Sequence, residues 1–184
     1  MGRRGPATAL VALALAFTFS AGLLLGRRVD EPGAVETAPV GAVQRTGDVP
    51  GPPDTVVDGE LAFRLVAQRC GMVSVQGDHA DWLADGRYCR MRLRVEHTGR
   101  FQTQYRAALQ VLQTTAGPFR ADLNAVQVGD QPVTLDLRRD MAVEFDVWFD
   151  IPQHARVTAL ELHAAEGSPG ARISVACRDF NRGG

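Results

Sequence analysis

Three sets of residues in this chain have the types and spacing to do chemistry. Arg90, Arg92 and Arg94 fall at every second position, so an extended strand would project three guanidinium groups from one face. Such a row could hold anionic glycans, lipid headgroups or an acidic partner, and Trp148, at the polar parity of its own segment, could anchor one. The competing reading is structural. The arginines would pair across strands with Glu144, Asp146 or Glu161, and the tryptophan would pack under a loop or cover a sheet edge. All 20 basic residues are arginine, the mark of a GC-rich coding sequence, so an arginine cluster carries less weight than usual. Arg90, Arg92, Arg94 and Trp148 are retained as binding candidates, with cross-strand pairing the favoured account.

The second set is Asp78, His79, Asp81 and Asp85, crowded with Trp82 between Gly77 and Gly86. Calcium takes several loop carboxylates and zinc accepts histidine, so a small metal-dependent or hydrolytic enzyme using this loop is the alternative functional reading. The spacing lacks the glycine and terminal glutamate of an EF-hand, and a solvated acidic loop is favoured. Ser74, His79 and Asp81 can be drawn as a triad, but closeness in sequence is poor evidence for that geometry. His97, His154 and His163 stand isolated. The chain has no G-x-S-x-G, H-E-x-x-H, P-loop or dinucleotide fingerprint. No catalytic residue, metal ligand or cofactor is assigned.

Cysteine supplies the third set. Cys70 and Cys89 are separated by 18 residues, and Cys177 makes the count odd. Outside the cytoplasm a pair would oxidise, yet three pairings are open and sequence alone selects none. Cys177 shares the parity of Ile173 and Val175, which points it inward.

An N-terminal run sets the compartment. Ala7 to Gly26 carries no charge and is bracketed by Arg3-Arg4 and Arg27-Arg28. As a helix it would be about 30 Å long, the thickness of a bilayer's hydrocarbon core. The run is longer than a typical signal h-region and ends in two arginines, so an uncleaved single-pass anchor is preferred to a removed signal segment. Weak cleavage candidates at Thr18-Phe19-Ser20 and Ser20-Ala21-Gly22 keep secretion as the alternative. The rest of the chain is placed on the extracytoplasmic side. Without the four flanking arginines, 16 arginines face 21 acidic residues, a balance of −5 that argues against nucleic acid as a partner.

Residues 1–6 then form a short tail, 7–26 the anchor or signal segment, and 27–57 a linker. That linker carries five prolines and no aromatic residue, and it cannot bury enough surface to offset ordering. The folded part is 58–178, followed by a tail at 179–184. Its signal is alternation: Cys89, Met91, Leu93 and Val95 against Arg90, Arg92, Arg94 and Glu96, and Met141 through Ile151 on every second residue. Shorter apolar runs follow Leu109, Phe119, Val133, Leu160 and Ile173. No stretch sustains a helical period for three turns. Six to eight short strands with one apolar face each imply an all-β fold of two antiparallel sheets packed face to face.

Four segments carry a resemblance: Gln68-Arg69-Cys70-Gly71, Gly86 through Leu93 with its Tyr88-Cys89, Val147-Trp148-Phe149-Asp150-Ile151-Pro152, and Leu160-Glu161-Leu162-His163. In order and spacing they resemble an extracellular domain family of unknown function, common in actinobacterial and other Gram-positive membrane proteins and lipoproteins. It is related to the secreted mycobacterial immunoprotective antigen. The resemblance implies an immunoglobulin-like β-sandwich, a Cys70–Cys89 disulfide and no established catalytic residues. The expected function is a non-catalytic binding or scaffolding module of the bacterial cell envelope, held to the membrane by the N-terminal helix and meeting an envelope protein or glycan.

Overall fold

A computed structural model describes residues 47–175 and Cys177. The expected tail at 1–6, the anchor at 7–26, the first part of the linker and the tail at 179–184 lie outside the described residues. Within them, no helix is long and apolar enough to cross a membrane. The described chain is mostly strand with one short helix, and its sheets are antiparallel, in keeping with an all-β class.

The strands in order are β1 Val49–Pro50, β2 Thr55–Asp58, β3 Leu61–Gln76, β4 Asp81–His97, β5 Thr103–Arg106, β6 Val111–Thr114, β7 Gly117–Arg120, β8 Thr134–Leu137, β9 Ala142–Ile151, β10 Val157–Leu162 and β11 Ala171–Ser174. A helix, α1, spans Leu123–Val128 between β7 and β8. A five-stranded sheet runs β1-β3-β4-β9, with β2 also paired to β3. A second sheet runs β11-β10-β6-β7, and β5 pairs with β8. The alternation seen in sequence is the alternation of burial. Met91, Leu93 and Val95 of β4 and Phe145, Val147 and Phe149 of β9 point into the core, where they join Leu112, Leu160, Leu162 and Ile173 of the second sheet in one cluster.

Two expectations need correction. The linker does not extend to residue 57: Val49 and Pro50 pair with Gln68 and Ala67, and Thr55 through Asp58 pair with Arg64 through Leu61. Both strands lie along the same outer edge of β3, where proline costs no ladder bond and a strand needs little apolar content of its own. Nor is Gly77–Gly86 a loop. β3 and β4 continue to Gln76 and Asp81, which pair, although the register shifts on either side of Met72. This end of the hairpin leaves Val73, Trp82 and Leu83 exposed. Cover is uneven there, with Val75 buried between exposed Val73 and its exposed partner Trp82, so the period of two disappears.

The Cys70–Cys89 disulfide joins directly opposed residues of β3 and β4, with 4.0 Å between their Cα atoms. The ladder shifts register just beyond it, and Gly71 takes a φ of 89° at that shift, a conformation that favours glycine. Across the core, Asp58 ties β2 to the chain around β11. Its carboxylate accepts the Ala164 N–H at 2.7 Å and the Gly170 N–H at 3.1 Å. Burial alone would raise its pKa, but these backbone bonds help hold it below the ordinary 3.8.

Candidate functional site

The three arginines face the residues that antiparallel register puts opposite them: Arg90 meets Trp148, Arg92 meets Asp146 and Arg94 meets Glu144. Arg92 holds Asp146 in a fork, Nε to Oδ1 at 2.9 Å and Nη2 to Oδ2 at 3.1 Å, and this bonding raises the guanidinium pKa further. Arg90 is buried. It pairs with Asp48, and its Nη1 lies 3.8 Å from Asp146 Oδ2. Its guanidinium carbon also sits 5.7 Å from the centre of the Trp148 ring. Arg94 reaches Glu144 at 3.6 Å with both side chains partly in water. The cross-strand partners weighed from sequence, Glu144 and Asp146, are thus the ones used. Glu161 lies elsewhere, bonded to Gln113 and His163.

Trp148 is not an exposed anchor: only 7% of it is accessible. The cause is α1, which lies over this face of the sheet. Asp122 fixes the helix there with both carboxylate oxygens. Oδ1 caps α1 by accepting the Asn124 and Ala125 N–H groups at 3.0 and 3.1 Å, and Oδ2 accepts the Tyr88 hydroxyl at 2.7 Å. Burial and this bond push the Tyr88 pKa up. The Asp122 N–H donates to the Trp148 carbonyl at 2.8 Å, and Gln131 Oε1 accepts the Asp146 N–H at 2.9 Å. The segment after β7 therefore satisfies the edge of β9. Tyr88 stands edge-on to Trp148, with centroids 6.1 Å apart and planes at 83°.

Beside this cluster opens a cleft of about 670 Å³, lined by Arg69, Met72, Ser74, Arg90, Gly129 and Trp148 among others. Two features define its chemistry. The buried Trp148 indole N–H finds no acceptor among the described residues. The charged residues that line it are Arg69, Arg90 and Asp146. Gly129 completes the wall. A Cβ there would come within 3.1 Å of Trp148 Nε1, so a side chain would crowd the ring. Sequence reasoning missed Asp48, set in the supposed linker, and Gly129. No periodic signal marks either one.

The acidic set is dispersed. Asp78 and His79 sit at the hairpin turn, Asp81 opens β4, and the Asp85 N–H donates to Asp150. Among the described residues, the groups of three or more His, Cys, Asp or Glu with ligand atoms close together comprise only Cys70, Cys89 and Cys177. Cys177 is half-buried rather than enclosed.

A second constellation was not anticipated. His163, read as isolated, has Glu161 Oε1 at 3.0 Å from Nε2 and the Ser168 hydroxyl at 3.4 Å from Nδ1. This resembles a serine–histidine–acid array, but the bonding is that of a brace. The Ser168 hydroxyl donates to the Ala165 carbonyl at 2.9 Å, and the Ser168 carbonyl lies nearer Nδ1, at 3.2 Å, than the hydroxyl does. The imidazole fastens the turn before β11 and leaves the serine engaged elsewhere.

Compared with known protein families, curated proteins and solved structures, the chain matches none.

Proposed function

We propose that this chain is a non-catalytic binding or scaffolding module of the bacterial cell envelope, membrane-tethered or secreted, and that its partner enters the cleft beside Trp148. The observation that carries the reading is the Trp148 indole N–H, buried and without an acceptor among the described residues, on a side chain that lines a cleft bordered by arginine. A buried donor left unbonded costs about 1–3 kcal/mol, which a partner's carbonyl, carboxylate or sulfate oxygen would recover. The partner class that fits is an envelope protein or glycan carrying such oxygens.

The fold proposed for this module is an immunoglobulin-like sandwich. Its support is a five-stranded and a four-stranded antiparallel sheet contributing to one core. The disulfide departs from antibody domains, since it links neighbouring strands of one sheet rather than bridging two. An extracytoplasmic location is supported by that disulfide, which persists in an oxidising compartment, and by the apolar run at Ala7 to Gly26.

Immobilised full-length protein in detergent tests the binding reading against envelope extract. Wild type is expected to retain a component that Trp148→Phe, which keeps an aromatic side chain but lacks the indole N–H, retains about tenfold less. Recovery of nothing, or equal recovery by both proteins, contradicts it.

A further inference from the structure

Cys70 and Cys89 are bonded to each other and 3% and 0% exposed, while Cys177 is a thiol of intermediate exposure. The three sulfurs lie within 4.8 Å of one another. They arrive from separate parts of the fold. The bonded pair sits on adjacent strands of the five-stranded sheet, whereas Cys177 follows β11 of the other sheet. A closed disulfide is therefore shielded from solvent on its own strands and approached by a third sulfur that solvent reaches.

We infer that these residues form a thiol–disulfide exchange site, through which an external dithiol gains access to a bridge it cannot touch directly. In the first step Cys177 gives its proton to solvent and the thiolate attacks one sulfur of the bridge. A new S–S bond forms to Cys177, the Cys70–Cys89 bond breaks, and the displaced sulfur leaves as a thiolate that takes up a proton. This step is an isomerisation with no net oxidation. The bridge now includes the half-exposed sulfur.

A thiolate of the external dithiol attacks Cys177 there, breaks the new bridge and forms a mixed disulfide. Its second thiolate displaces Cys177. Three thiols are left on the chain and a disulfide on the reagent, with two electrons and two protons passed to the protein. An external disulfide drives the same steps in reverse. The substrate class is a dithiol/disulfide couple, and Cys177 is the residue that meets it.

Full-length protein in detergent micelles at about pH 8, where thiolate is abundant, is treated with excess dithiothreitol and quenched with iodoacetamide at intervals. The expected result is that Cys177→Ser loses its bridge at least about tenfold more slowly than wild type, with the same melting temperature before reduction. A rate within about twofold of wild type overturns the inference. A second variant is independent of rates. Folded Cys70→Ser is expected to oxidise to a Cys89–Cys177 bridge on peptide mapping, and two alkylatable thiols in that variant overturn the inference as well.

Discussion

The two ends of one strand pair carry the same chemistry in different surroundings. At one end of the β4–β9 ladder, Arg90 and Arg92 meet Trp148 and Asp146 beneath α1 and beside Asp48. At the other, Arg94 meets Glu144 in partial contact with water. Register alone makes the positions equivalent; what covers them does not. A buried charge must keep every partner or lose several kcal/mol, while an exposed pair is worth little. A row of three arginines thus resolves into a cleft wall and an ordinary surface pair.

Substitutions can break that contrast. The largest effect is expected for Arg90→Ala, which leaves Asp48 and part of Asp146 buried without their cation and should cost about 3–5 kcal/mol in urea unfolding. Asp122→Ala comes next, at about 2–3 kcal/mol, because it removes both the cap of α1 and the acceptor of the Tyr88 hydroxyl. That variant should also brighten or shift Trp148 emission as the helix loosens from the ring.

Asp58 extends the comparison to a buried carboxylate. Its folded pKa lies below the ordinary 3.8, so its stabilisation is complete above that value and disappears as pH falls through the lower, folded one. Unfolding free energy should therefore decline below about pH 4. Asp58→Asn should flatten that decline and cost about 1–2 kcal/mol at neutral pH, read by denaturant melts across the range. Arg94→Ala should cost no more than about 0.5 kcal/mol, and a loss as large as that of Arg90→Ala would erase the distinction between the two ends.

Legibility in the sequence followed the same division. Where one strand face meets the core, as from Cys89 to Val95 and Met141 to Ile151, period two shows directly, and opposition of the arginines to Glu144 and Asp146 is among the pairings it allows. Where strands are unevenly covered, as at Val73, Val75, Trp82 and Leu83, no period forms and a hairpin reads as a loop. Val49–Pro50 and Thr55–Asp58 escape for a related reason: an edge strand is held by its neighbour's backbone, which leaves no trace in its own composition. The six residues of α1 are too few to establish a helical period. The gathering of Asp48, Arg90, Trp148 and Gly129, like that of three cysteines, is a product of topology. Parity aimed Trp148 outward, and only the helix above it makes that direction an interior one.

The central claim, that a partner's acceptor atom meets the Trp148 indole, has a direct readout because the chain holds two tryptophans. The account predicts that adding envelope extract to ¹⁵N-labelled protein moves the Trp148 indole N–H cross-peak downfield and leaves that of Trp82 in place. An unmoved Trp148 signal, or a response confined to Trp82 on the exposed hairpin, would contradict it.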